Sequence, residues 1–287
     1  MSISRNTPFR KILLVVLISF AMLASVTPLA QIRAATPPQV EGADEKPPQS
    51  SRLARYERLF AAWTSLTEAA SQDDENANAL PPLEKDKVVY LTFDDGPDPN
   101  WTPKVLEMLV RHGAQATFFV IGKSAKSNPD IILQMAQAGQ MIGNHSYNHV
   151  ALSLFGWSDF YLEIHDTDVA VREALAGQPG LEAQVASCIR PPYGEVNGNI
   201  WTHAYRMSYD VSMWSVDTMD WSGVAAETML AHVLEKVKPG SIILMHDGGK
   251  ERAETVKGLG LVLHELTLQG YAFPPLCTTE GQVIKYP

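Results

Sequence analysis

The sequence predicts an α/β domain in which parallel strands, each followed by a helix, are closed or nearly closed into a barrel. Three observations carry this reading. From about residue 86, short β-rich apolar runs alternate with helical patterns seven times. The runs are nearly continuous in apolar residues, as strands covered on both faces are. Five of the seven end at their C-terminal side in ionisable residues, as expected where the loops after barrel strands converge on one mouth. A doubly wound open sheet is the runner-up, and it also places chemistry beyond the strand C-termini.

The elements follow in order. The first strand covers 88–93, and a helix over 102–110 carries Pro103 in its first turn, where a missing N–H is tolerated. The run 116–121 (ATFFVI) is the second strand, and a helix over 129–138 stops at Gly139, a C-cap position. Met141 and Ile142 open a short third strand, and a helix over 159–175 ends before Gly177. Residues 186–189 form a buried fourth strand, 199–207 a helix and 209–216 a fifth strand. A helix over 225–237 is closed by Pro239-Gly240, and 241–245 (SIILM) is the sixth strand. The helix over 253–268 ends at Gly270, and 271–273 begins the last strand.

The residues before this domain differ in kind. Arg5, Arg10 and Lys11 precede an uncharged apolar run over 12–26, the pattern of a secretory signal or of an anchor with its basic end in the cytoplasm. Residues 1–35 are therefore expected to export or anchor the chain, with membrane contact only through them. Residues 36–85 read as a Pro-rich polar linker with a short amphipathic helix over 52–70, and residues 86–287 as a single catalytic domain. The charge follows this division. Residues 1–85 hold 9 basic and 9 acidic residues, while 86–287 hold 14 and 23, so the formal charge of −9 lies wholly in the domain. An acidic domain lacks the basic footprint that nucleic acid requires. A monomer is expected.

The polar clusters sit after the strands. Asp94 and Asp95 follow the first and lead into Gly96-Pro97, which alone would be an ordinary turn. His145 and His149 follow the third at i, i+4, a spacing that lets both imidazoles reach one ion but is weak by itself. Arg190 ends the buried fourth strand and needs a carboxylate partner. Pro191 and Pro192 then fix the backbone and leave the Tyr193 N–H as a preorganised donor. Asp217, Asp220 and Trp221 follow the fifth strand and His246 the sixth. Together these residues define one mouth. Asp95, His145 and His149 would form an N/N/O set with an open position, the layout of a catalytic zinc site, and no Cys is near to close it.

The ordered motifs TFDDGP, HSYNH, RPPYG, DTMDW and ILMH closely resemble the polysaccharide deacetylases of carbohydrate esterase family 4, the NodB-homology domain, over about 86–277. The resemblance implies a distorted (β/α)7-8 barrel of TIM-like kind. It also implies one divalent metal ion, commonly zinc, with cobalt or another transition metal as alternatives. Asp95, His145 and His149 are implied as its ligands, Asp94 as catalytic base and His246 as catalytic acid. Arg190 would orient the base, the Tyr193 N–H stabilise the oxyanion and Asp220 position His246. Trp221 would line the substrate groove with Leu244 or Met245 nearby. Ile243 stands where the family usually has Leu, which keeps the apolar wall.

The implied reaction removes N-acetyl groups from N-acetylglucosamine-containing polysaccharide, peptidoglycan or chitin-like, and releases acetate outside the cytoplasm. An O-acetyl-xylan esterase on the same fold and a catalytically inactive glycan-binding protein are the alternatives. A serine hydrolase is rejected, because no G-x-S-x-G motif is present. Selectivity is expected in the loops 153–157 and 195–198. His112, His165, His203, His232 and His264 fall on expected helices and are assigned to packing or surface roles. A disulfide would be permitted in an exported chain. However, Cys188 and Cys277 fall near strands four and seven, which a barrel would not make neighbours, and this argues against a bridge.

Overall fold

The computed structural model describes residues 87–278, so the export segment, the linker and the helix expected over 52–70 lie outside the described residues. In chain order the elements are β1 (Tyr90–Asp94), α1 (Thr102–Arg111), β2 (Ala116–Val120), α2 (Gly122–Ser127), α3 (Pro129–Gln137), β3 (Met141–Asn144) and α4 (Trp157–Ala174). They continue as β4 (Val185–Ile189), α5 (Gly198–Arg206), β5 (Asp210–Val211), β6 (Val216–Asp217), α6 (Ala226–Lys236), β7 (Ile242–His246) and α7 (Ala253–Leu268). Among the described residues, no helix is long and apolar enough to cross a membrane.

All strand pairs are parallel, in the order β5-β4-β3-β2-β1-β7-β6. The two edge strands are near neighbours in sequence, Val211 ending one and Val216 opening the other. A flat sheet of seven strands would hold its edges about 29 Å apart, whereas the five residue steps between these two reach at most about 18 Å. The sheet must therefore curl, and residues 212–215 span the gap in place of a β5–β6 ladder. This is the distorted barrel the sequence predicts.

Here the single strand expected over 209–216 is corrected to two, on opposite edges of the sheet. The cause is a buried cation. The carbonyls of Ser212 and Met213 accept from the Arg190 guanidinium at 3.2 and 3.1 Å instead of pairing with a neighbouring strand.

The pleat sorts the side chains. Leu91, Phe93, Phe118, Ile243 and Met245 point outward into the main core, against Val105 and Leu109 of α1, Ile132 of α3, Leu230 of α6 and Val262 of α7. Tyr90, Phe119, Met141, Ala186, Cys188 and Ile242 point inward and fill the barrel. Met245, expected near the substrate groove, belongs to the outer set. In a strand that ends with an inward His246, the residue one position earlier must face the other way.

The last strand expected over 271–273 reduces to one bridge between Ala272 and Val88. Beyond it the chain passes into the barrel interior, where the Leu276 and Cys277 N–H groups donate to Thr117 Oγ1 at 3.1 and 3.3 Å. Cys277 there meets the inward-facing Cys188, and the two form a disulfide with Cα atoms 6.3 Å apart. The expectation against a bridge fails because the tail enters the barrel instead of lying in the sheet. The short α2 was also not expected, since GKSAKS carries no apolar period.

Candidate active site

The inner face of β1 carries Tyr90, Thr92 and Asp94, so the strand delivers Asp94 to the top of the barrel interior. Arg190 emerges after β4 inside the same space and is fully buried. Its Nη1 donates to Asp94 Oδ1 and to Thr92 Oγ1, both at 2.8 Å, and its guanidinium lies over the Phe119 ring at 4.2 Å. With Ser212 and Met213 taking Nε and Nη2, every guanidinium nitrogen has an acceptor and four of the five N–H donors are used, which makes so deep a cation tolerable.

Asp95 turns a different way. Its φ of 76° is left-handed, and Ser146, His149, Tyr193 and Met219 share that conformation at 63°, 54°, 63° and 62°. Such backbone costs roughly 1–2 kcal/mol per residue and persists where the surroundings over-determine it, commonly at functional sites. Gly248 packs so closely on Asp95 that a Cβ there would overlap the Asp95 carbonyl, so only glycine lets the loop after β7 cover this turn.

Asp95 Oδ1 lies 3.1 Å from His149 Nε2 and 3.6 Å from His145 Nε2, yet it is buried and makes no hydrogen bond. His145 donates from Nδ1 to the Arg190 carbonyl at 2.6 Å, which turns the Nε2 lone pair toward Asp95. Burial pushes the His145 pKa down, and the opposing pull of Asp94 and Asp95 does not overcome it. Burial pushes Asp95 up, but His149 and His145 outweigh this and hold it at about 2. One ligand atom each from Asp95, His145 and His149 lies within 4.8 Å of the others. Two imidazole nitrogens and an ionised carboxylate with an orphaned, buried oxygen are a donor set that fits a divalent transition metal.

At the end of β7, His246 Nδ1 is 2.8 Å from Asp220 Oδ1. Asp220 Oδ2 accepts from the His246 N–H at 2.8 Å and from Thr255 Oγ1 at 3.0 Å. Burial acts to lower the His246 pKa, but the Asp220 carboxylate beside it prevails and the value is raised. Nε2 is left for the cleft.

That cleft measures about 440 Å³ and joins Asp94, Asp95, His145, His149 and His246 with Tyr193, Asp217, Trp221 and Leu244 on its walls. The Tyr193 hydroxyl donates to the His149 carbonyl at 3.1 Å, and its ring packs edge-on against the His149 imidazole. Trp221 Nε1 donates to Asp217 Oδ2 at 3.4 Å, and Asp217 Oδ1 accepts from the Met219 N–H at 2.7 Å. Of the expected site residues, Arg190 and Asp220 sit behind the cleft wall, bonded to Asp94 and His246, and Met245 lies in the outer core. Sequence reasoning missed Trp214, Lys250 and Arg252, which also line the cleft. Trp214 falls in the middle of the strand expected over 209–216. Lys250 and Arg252 follow His246 in a glycine-rich loop whose path the sequence does not give.

The mouth of a curled parallel sheet thus gathers a buried acid–arginine pair, a convergent Asp-His-His set and an acid-braced histidine. Residues 83–212 match the polysaccharide deacetylase family. A peptidoglycan-N-acetylglucosamine deacetylase of Bacillus cereus is 37% identical over 205 residues, 70% of this chain and 90% of that protein. A chitooligosaccharide deacetylase of Sinorhizobium fredii is 42% identical over 160 residues, 56% of this chain and 72% of the other. Among solved structures, the Bc1960 peptidoglycan N-acetylglucosamine deacetylase superposes with a TM-score of 0.62 at 36% identity, covering 68% of this chain and 88% of that one. The chain belongs to the polysaccharide deacetylase family.

Proposed function

We propose that the domain hydrolyses N-acetyl groups of N-acetylglucosamine residues in peptidoglycan, releasing acetate and leaving the free amine on the glycan. The observation that carries this is the division of labour between two adjacent carboxylates: Asp94 bonded to Arg190, Asp95 turned to two histidines. Asp95, His145 and His149 would hold one divalent ion, zinc by its preference for this donor set. When bound, the ion supplies a Lewis acid that acidifies water and polarises the acyl carbonyl. Asp94, oriented by Arg190, takes the proton of the attacking water. The Tyr193 N–H donates to the oxyanion as it develops, a contribution typically worth about 10²–10³ in rate. His246, protonated and held by Asp220, donates from Nε2 to the amine, which cannot leave as an anion.

Two features favour peptidoglycan over uncharged chitin-like chains. The Bacillus cereus relative aligns over 70% of this chain, against 56% for the chitooligosaccharide deacetylase. In addition, Lys250 stands on the cleft wall, exposed and with no ion pair among the described residues. Peptidoglycan carries peptide carboxylates that a free ammonium would meet, and chitin carries none. The Cys188–Cys277 disulfide supports an oxidising, extracytoplasmic setting. The test is acetate release from peptidoglycan, chitooligosaccharides and acetylxylan, repeated with Lys250→Ala. Peptidoglycan should be preferred, and the substitution should raise its KM while sparing the neutral oligomers. Preference for acetylxylan contradicts the assignment.

A further inference from the structure

The loop that carries His145 and His149 has its own anchor, and it stands on a different element from the cleft. Most of the backbone groups over 144–149 find partners. The His145 N–H donates to the Val120 carbonyl at 2.9 Å. The Ser146 and Tyr147 carbonyls accept from the Gly122 and Lys123 N–H groups, both at 3.0 Å. Two consecutive donors, the Tyr147 and Asn148 N–H groups, go to one carboxylate: Glu163 Oε2 accepts them at 2.9 and 2.8 Å. Glu163 Oε1 accepts from Asn148 Nδ2 at 2.8 Å. At the other end of the loop, Asn144 Nδ2 donates to the Ile164 carbonyl at 2.8 Å and to Asp168 Oδ1 at 3.0 Å, while Asn144 Oδ1 accepts from the Ser146 N–H at 3.0 Å. Asp168 is held in turn by the Tyr209 hydroxyl. Glu163, the Ile164 carbonyl and Asp168 all belong to α4.

We propose that α4 is the rack that sets the His145–His149 pair, with Glu163 as the principal positioning residue: its carboxylate holds Tyr147 and Asn148, the two residues between the left-handed Ser146 and the left-handed His149, and so fixes the turn from which Nε2 faces Asp95. This rests on the reading of Asp95, His145 and His149 as metal ligands. The chemistry favours a carboxylate here. Glu163 is buried and meets three donors, and only an ionised carboxylate offers acceptors alone. A glutamine would turn an NH₂ group toward at least one N–H. His149 has a partly exposed side chain and a left-handed φ, and apart from the Tyr193 hydroxyl on its carbonyl the turn depends on the clamp at Tyr147 and Asn148. Gly122 fits the same design, since a Cβ would collide with Thr167 of α4 and with Tyr147.

The test compares Glu163→Gln and Asn148→Ala with Phe160→Leu, a core change on the same helix that touches no loop donor. Zinc affinity is measured by chelator competition, the visible spectrum is recorded on cobalt-loaded protein, and circular dichroism with Tm reports the fold. Glu163→Gln is expected to weaken zinc roughly 10–100-fold, the usual effect of losing an outer partner of a metal ligand, and to alter the cobalt spectrum. Asn148→Ala, at an exposed position, should weaken zinc several-fold in the folded protein. Phe160→Leu should lower Tm and leave affinity and spectrum unchanged. Parent zinc affinity and spectrum in both loop variants overturn the proposal, as does an equal affinity loss in Phe160→Leu. If Glu163→Gln does not fold, Asn148→Ala alone decides. A parent protein that binds neither zinc nor cobalt would instead contradict the metal-site reading.

Discussion

Arg190 Nη1 lies 2.8 Å from Asp94 Oδ1, and both side chains are buried. That contact separates the roles of two carboxylates that are neighbours in sequence, because Asp95 has no such partner and faces His145 and His149 instead. Arg190→Met removes the only cation bonded to Asp94 among the described residues and strands a buried charge. It is expected to destabilise the domain by about 3–5 kcal/mol, read as a lower denaturation midpoint in urea. Arg190→Lys should recover only part of this, since an ammonium cannot satisfy Asp94, Thr92 and two carbonyls from one plane.

The two carboxylates should also part company kinetically. Asp94→Asn is expected to lower kcat by about 10²–10⁴, the usual weight of a general base, with bound metal unchanged. Asp95→Ala should lose the metal along with the activity. Metal content by atomic emission beside kcat distinguishes them, and loss of metal in Asp94→Asn would contradict the division.

His246 sets a pH limit. Its pKa is raised above the ordinary imidazole value, with Asp220 overcoming the effect of burial. In the proposed mechanism the protonated form is the donor, so activity is expected to be retained below that pKa and lost as pH rises through it. Asp220→Asn removes the sustaining charge and leaves the burial, so the alkaline limb of the kcat profile should move to lower pH. An unmoved limb would assign it to another group.

The disulfide closes a loop across 89 residues of chain. Replacing both Cys188 and Cys277 with Ala is expected to cost about 2–4 kcal/mol, measured by urea unfolding, with kcat on folded protein unchanged. The pair sits among inner-core residues and does not line the cleft.

How much of this was legible in the sequence depends on whether the cause is local. The apolar runs and the acids and histidines that follow them are local signals, and they give the barrel, its mouth and nearly every site residue. Leu244 and Met245 could have been separated too, since an inward His246 places Leu244 on its own face and Met245 on the other. The break in 209–216 could not, because it depends on Arg190, some twenty residues earlier, claiming two carbonyls. Nor could the bridge to Cys277, which depends on a tail turning into the barrel without any strand pattern. Glu163 reads as one acid on a polar helix, and only the unpaired N–H groups of a loop 15 residues earlier give it a purpose.

The most direct test is acetate release from peptidoglycan by the purified chain before chelation, after chelation and after zinc is restored. Release that disappears with the chelator, returns with zinc and stays absent in Asp95→Ala is the expected result. Undiminished release from fully metal-free protein, or none from any N-acetylated glycan in the presence of zinc, would contradict the proposed function.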